Sequence, residues 1–442
     1  MQEKKEQQEL EHLRESLDQI TMYRKVTIWL AVLIVLGYGI YIAATFSGTE
    51  AHVLEWMNLV FRWAHVILGI SWIGASFYFI FLENSLNRTE NLRDELAGNL
   101  WAIHGGGFYY VEKYKVAPEK IPQHLHWFKY EAYFTWLTGC ILLVLVYYIN
   151  AKSVLVDPAV SDISPLNAIL LSVGTLVAGW FCYDFLCKTK LLEKKKTFAL
   201  TGFSIVILIS FFLSQFLSGR AAFMHVGALL GTIMAGNVFF TIIPSQKALV
   251  KAAKLGLPLD PTLGKTAGLR SLHNNYITLP VIFIMISGHF PTTYGNAFNW
   301  AVLAGLTLAS VAVRHYINLY EKGRNAFWIL PFSFIALISL VIVTAPKKTE
   351  IGGEPASFTE VSAVIQKRCQ SCHAQKPSDP EHATAAGGVI LESPDQIRNM
   401  ADRIMVRVVQ TKTMPQGNKT EITEEERELL GRWISQGSVL NQ

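Results

Sequence analysis

The sequence predicts an all-α chain: a polytopic transmembrane helical bundle of about nine spans, followed by a small all-α domain outside the membrane. Three observations predict it. Of 442 residues, 51% are hydrophobic and only 17% charged, against roughly 25% charge in soluble domains. Apolar stretches of about 19–25 residues recur, each long enough to cross a hydrocarbon core as a helix. After residue 345 the chain turns abruptly polar, with 12 Lys and Arg and 13 Asp and Glu in residues 346–442. So much apolar content excludes disorder for the bulk of the chain. The formal charge of +5 is modest, and its basic residues sit in short loops rather than on one face, so no nucleic-acid partner is expected.

Taken in order, residues 1–26 form a polar N-terminal segment and residues 27–345 the membrane part. The expected spans are 27–47, 58–82, 131–149, 165–187, 197–217, 221–243, 274–292, 296–320 and 326–345. Only Ser218, Gly219 and Arg220 separate the fifth from the sixth, and the seventh carries Pro280. One set of connecting segments holds 23 Lys and Arg and the alternate set only Lys152 and Arg220. By the positive-inside rule this places the N-terminus in the cytoplasm, and an odd number of spans places the tail outside. A polar segment followed by a full-length span predicts no cleaved signal peptide. Residues 346–355, with lysines, prolines and glycines, read as a linker, and residues 356–442 as the outer domain.

Cys140, Cys182 and Cys187 lie in or beside spans and read as small packing residues. The other two cysteines form Cys369-Gln370-Ser371-Cys372-His373, the Cys-x-x-Cys-His pattern for covalent c-type haem. Two thiols add to the porphyrin vinyl groups and the adjacent imidazole reaches the iron. A redox dithiol or half a zinc site is the competing use, but no second pair at zinc spacing follows. Phe358–Arg368 reads as a helix entering the site. Thr423 and Glu426 form a capping box opening a closing helix. Met414, in the loop before it, is the expected sixth ligand, while Met400 and Met405 fall in a predicted helix, Asp395–Val409. The tail is therefore expected to be a class I cytochrome c domain with one covalent haem. Such haem is assembled on the outer side of the bacterial membrane, which agrees with the charge bias. Both point to the bacterial inner (plasma) membrane, with the tail periplasmic and lipid around the bundle.

Ionisable residues inside spans carry a functional expectation. His65-Val66…Ala75…Phe79 repeats as His225-Val226…Ala235…Phe239 at an offset of 160. His65 and His225 are read either as ligands of a second, non-covalent haem b, or as core histidines bonded to backbone, or as substrate contacts. The 83–130 segment carries Gly105-Gly106-Gly107 among aromatics, suited to close approach of a flat ligand or to a turn before an interfacial helix. On the inner side Glu131, Asp184, Arg270, His273, Asn274 and Asn275 form a polar concentration able to bind a planar, hydrogen-bonding anion.

Several segments carry a resemblance. They include Arg62-Trp63-Ala64-His65-Val66, Trp101-Ala102-Ile103-His104-Gly105-Gly106-Gly107, His126-Trp127-Phe128-Lys129-Tyr130-Glu131 and Ser271-Leu272-His273-Asn274-Asn275-Tyr276. With the C-terminal Cys-x-x-Cys-His domain, residues 51–442 resemble the bacterial membrane-bound urate hydroxylase (urate oxidase) family. Residues 1–47 resemble an added extension. The resemblance implies oxidation of urate to 5-hydroxyisourate in purine degradation. It also implies electrons passing to the cytochrome domain and on to a downstream cytochrome c or terminal oxidase, without peroxide. It carries over no catalytic residue. From the residues themselves, Glu131, His104 and His273 are the candidate general bases, and Asn274, Asn275, Lys129 and His126 the candidate urate contacts. The histidine span also faintly resembles a haem-binding membrane protoporphyrinogen oxidase. Two other readings stand beside this one: an oxidoreductase passing electrons from quinol or another small reductant to cytochrome c, and a transporter or assembly factor with a haem-sensing tail.

Overall fold

Apolar runs without helix breakers give long helices, and the computed structural model shows them. It describes Gly39 and residues 50–89, 91–118, 120–345 and 353–440. The first expected span, 27–47, lies outside the described residues, as do residues 346–352 of the linker. Among the described residues six helices are long and apolar enough to cross a membrane: α1 (Glu50–Ser85), α2 (Tyr130–Tyr148), α3 (Pro165–Leu186), α4 (Lys195–Ser214), α5 (Gly219–Lys254) and α7 (Asn299–Tyr320). Between the last two lies α6 (Pro261–Ser287), long but polar in its first half. Then α8 (Ile329–Val343) is apolar throughout but only 15 residues long. The eight expected spans from residue 58 onward each fall on one of these helices. α1 and α5 overrun theirs, because their ends carry polar turns that still propagate a helix. Pro280 sits inside α6 without ending it, as packed neighbours allow in apolar surroundings.

The helices are not equivalent. Only 6% of the apolar window of α1 is buried against 61% of that of α5, so α5 is the axle of the bundle and α1 lies on its flank. α5 packs closely against α3 and α6 through glycine. A Cβ on Gly236 would stand 2.5 Å from the Trp180 ring, and one on Gly227 2.5 Å from Ile284. Outward-facing residues are large and apolar, among them Trp63, Phe181, Phe185 and Val343, a surface compatible with lipid.

The 83–130 segment corrects the all-α expectation. It folds into an antiparallel hairpin of β1 (Leu96–His104) and β2 (Gly107–Tyr114). Gly105 and Gly106 take φ of +56° and +80°, the two-residue type I′ turn that matches strand twist. Trp101 faces Tyr110 across the strands, with ring centroids 4.7 Å apart. The glycine run therefore makes a turn, and aromatic β-formers on both sides of it make the strands.

The tail has its own core. α9 (Phe358–Arg368) and α11 (Glu424–Ser435) enclose Val361, Ile365, Leu430 and Trp433. Between them lie α10 (Pro394–Asn399) and a turn, Ala401–Ile404, that widens into a π-turn, Met405–Gln410. The expected Asp395–Val409 helix is thus broken at Met400. Thr423 and Glu426 make the expected reciprocal capping box. Arg368 forks onto Glu426 at 2.9–3.1 Å, tying α9 to α11. The tail sits on the bundle: Ser153 Oγ donates to Glu381 (3.1 Å) and Thr384 Oγ1 to Glu55 (3.2 Å).

Candidate functional site

The cysteine motif is delivered by the end of α9. Backbone amides of Cys372 and His373 donate to the Cys369 carbonyl at 3.2 and 2.9 Å, a turn that gathers both thiols and the imidazole. His373 Nδ1 lies 3.1 Å from the Val389 carbonyl. A hydrogen bond there fixes the tautomer and leaves Nε2 for a metal. Met414 packs on the same core as Cys369. Its loop is held by Arg427, buried to 5% exposure, which donates to the Met414 carbonyl at 2.9 Å and to that of Val408. Met400, by contrast, has its sulfur against the Arg403 guanidinium, a poor place for a metal ligand. The set Cys369, Cys372, His373 and Met414 thus fits a covalent haem.

A different use of Cys372 competes, because its sulfur and the ligand atoms of Asp379 and His382 lie within 4.8 Å of one another. Lys419 opposes it. Its ammonium lies 2.7 and 3.0 Å from the two Asp379 oxygens, a cation where the metal would need to be. Burial pushes the Asp379 carboxyl up, but the Lys419 ammonium, the Glu381 amide and the Cys372 thiol together outweigh it and hold it below its usual value. Burial also pushes the Cys369 thiol up to about 12, as expected for a sulfur enclosed in the apolar core of the tail.

Beneath the tail a single cavity of about 2380 Å³ follows α5 from Arg220 to Thr241, about 30 Å at 1.5 Å per residue. Its outer end is lined by Arg62, Arg220, Thr411 and Met414, its inner end by Asp184, Arg270, His273 and Trp180. The inner end is a connected polar network. Arg270 donates to Asp184 (2.7 Å) and to Asn237 (3.1 Å). Asn237 donates to the Tyr183 hydroxyl (2.9 Å) and to Asn274 (2.8 Å). The Tyr183 hydroxyl in turn lies 2.8 Å from His273 Nδ1. Phe198 stacks on the His273 ring at 5.0 Å. Asn237 opens a π-turn, Asn237–Ile242, within α5, a distortion frequent at functional sites.

Of the expected site residues, His273 and His65 line this cavity. Asn274 and Asn275 do not. They are buried behind it and committed, Asn274 to Asn237 and the Met234 carbonyl, Asn275 to Asn318 and Arg314. Their expected role as urate contacts finds no support in these positions. His104 stands exposed at the hairpin tip. His126 packs on Phe128 at 4.4 Å and the Lys129 ammonium lies over Tyr130 at 4.9 Å; none of the three reaches the cavity. Glu131, in the first turn of α2, also lies outside the lining, although its Oε2 is buried without a hydrogen-bond partner. The cavity does not bring His65 and His225 together: His65 lines it and His225 does not. His225 is fully buried, with Nδ1 2.8 Å from the Ala221 carbonyl and Nε2 3.2 Å from the Tyr148 hydroxyl. Both nitrogens are taken, because α5 is central where α1 is peripheral. Sequence reasoning missed Tyr183, Asn237, Arg62, Arg220 and Arg427. A polar residue inside an apolar run was the available signal for the first four.

Residues 51–345 match the profile of a family described as urate oxidase N-terminal. No curated protein matches the chain, and no solved structure does.

Proposed function

The chain belongs to the urate oxidase N-terminal family, and from that membership we propose that it oxidises urate to 5-hydroxyisourate at the inner end of the cavity. The observation that carries this reading is the continuity of that cavity, with His273 and Arg270 at one end and Met414 of the tail at the other. The reaction takes the urate monoanion and one water to neutral 5-hydroxyisourate, two electrons and one proton.

Each residue has a physical task in it. Lys188 and Arg270, which line the cavity, supply the positive potential that draws in a planar anion. Asp184, 2.7 Å from Arg270 and 2.6 Å from Lys188, keeps that charge from being uncompensated when the site is empty. The Tyr183 hydroxyl and the Phe198 ring hold His273, so that Nε2 is the nitrogen free to take a proton from the attacking water. Asn237 and Asn274 support this arrangement from behind. A haem held by Cys369, Cys372, His373 and Met414 would supply a one-electron centre, so that oxygen need not be the direct acceptor and no peroxide would form. The whole works as an inner-membrane enzyme with its tail on the outer face, delivering to a downstream cytochrome c or terminal oxidase.

The test is an anaerobic absorbance spectrum of the full-length protein before and after adding urate. Growth of the reduced c-type band on urate addition supports the reading, as does its loss in His273→Ala. If dithionite reduces the haem and urate does not, the urate assignment is wrong. In Cys369→Ala/Cys372→Ala, loss of respiration-linked urate oxidation is expected. Undiminished turnover to the respiratory chain would remove the tail from the path.

A further inference from the structure

The inner network and Met414 line opposite ends of a cavity that follows α5 for about 30 Å, a long way for a single electron-transfer step. The cavity between them is also larger than one small substrate needs. Ordinary ligand sites occupy about 300–1,000 Å³, against about 2380 Å³ here. What stands in its middle and outer parts is a specific set of groups.

His65 projects from α1 into the cavity wall. Its Nδ1 lies 3.0 Å from the Thr135 carbonyl and 3.1 Å from Thr138 Oγ1, which leaves Nε2 uncommitted. That is how protein-bound imidazole ligands are oriented. The ring rests on Gly139, where a Cβ would stand 3.1 Å from its Cε1, so the α2 glycine is what admits it. Gly139 lies nine residues from Tyr130 along α2, about 14 Å from its inner end, and so at mid-depth. Opposite, α5 presents a low surface at Ala228, Gly231 and Ala235, and a Cβ on Gly231 would meet nothing within 4 Å.

Toward the tail two cations end the chamber. Arg62, three residues before His65, donates only to Asn58, at 3.0 and 3.2 Å. Arg220 lies over Tyr147 at 5.8 Å and has a buried Nε without a partner. Among the described residues neither forms an ion pair. The cavity-lining carboxylate Asp157 instead accepts the Ala159 amide at 3.0 Å. The buried, partnerless Nε of Arg220 calls for an anionic partner, and the exposed Arg62 is free to share it.

We infer that the middle and outer cavity binds a second, non-covalent haem, with His65 as an axial ligand and Arg62 and Arg220 pairing its two propionates. An imidazole with one free nitrogen, a flat small-residue wall and two cations beyond it match a metalloporphyrin dicarboxylate in each part. His225 is not its ligand. The inference stands whether or not the substrate is urate, and its test uses none.

The full-length protein is purified, its haem is extracted into acidified acetone, and the pyridine haemochromes of the extract and the residue are quantified. The wild type should give about one extractable b-type haem for each covalent c-type haem. Finding only covalent haem overturns the inference. In His65→Gly the extractable haem should fall by about tenfold or more, as expected for a lost ligand, while covalent haem marks the amount of folded protein. Added imidazole should restore binding of exogenous hemin, read as a Soret band. Arg62→Gln/Arg220→Gln should weaken hemin retention while keeping the ligated spectrum. Extractable haem unchanged in both variants would also overturn the inference, as would its loss only in His225→Gln.

Discussion

Gly417 lies where the tail touches the bundle. It has φ +55°, and a Cβ built on it would stand 2.9 Å from the Ser153 carbonyl oxygen, 3.1 Å from that of Val156 and 3.2 Å from that of Lys152. Gly417→Ala therefore meets two costs. The left-handed backbone costs a non-glycine residue roughly 1–2 kcal/mol. The three carbonyls must then recede, and the turn Ala151–Leu155 that carries them is helical and internally bonded. Gly387 separates the two costs, because it has φ +60° and open space around its missing Cβ. Gly387→Ala carries the backbone cost alone. Each further 1.4 kcal/mol against docking raises the undocked-to-docked ratio about tenfold. The assay is anaerobic stopped-flow reduction of the tail haem by urate, normalised to covalent haem. Gly417→Ala should slow that reduction by about tenfold, while Gly387→Ala stays near wild type. Equal rates in the two variants would refute the claim that electrons reach the tail through this docked face.

Three further outcomes are expected. Arg427→Leu leaves the buried Val408 and Met414 carbonyls unpaired, at about 1–3 kcal/mol. It should also release the Met414 loop, so a redox titration should show a lower haem potential; an unchanged potential would exclude Arg427 from positioning the ligand. Burial pushes the Glu426 carboxyl up, but Arg368 and the Thr423 amide outweigh it and hold it below its ordinary value of 4.5. A carboxyl lowered on folding adds stability that is fully present above that ordinary value and is lost as pH falls through the lowered one. Urea melts of the tail should therefore weaken across that acidic window, and Glu426→Gln should flatten the dependence. Lastly, Arg270→Met leaves Asp184 with the exposed Lys188 alone and Asn237 Oδ1 without its donor, and should cost about 1–3 kcal/mol. Asp184→Asn added to it should recover most of the loss in a detergent melt, and a double variant no better than the single one would contradict the pairing.

How much of this was legible in the residues differs from element to element, for physical reasons. The long apolar helices, the capping box at Thr423 and the turn that gathers Cys369, Cys372 and His373 were readable because each rests on local chemistry. A 20-residue apolar run has few alternatives to a helix, a cap needs only residues three apart, and the Cys-x-x-Cys-His motif is contiguous. The hairpin was misread because its turn depends on φ at Gly105 and Gly106, and a glycine triplet states only that the backbone is free. His65 and His225 looked alike in sequence, with the same neighbours at the same spacing. Their separation into a cavity-lining residue and a saturated core residue was decided by α5 lying at the axis of the bundle and α1 on its flank. Asn274 and Asn275 likewise sat in a promising polar stretch, yet a helix shows neighbouring residues to different sides, and the sides they face are taken by Asn237 and Arg314. The joining of Arg62 on α1, Arg220 on α5 and Met414 on the tail into one cavity is invisible in a linear chain. It exists only because helices far apart in sequence pack side by side and the tail settles over their ends.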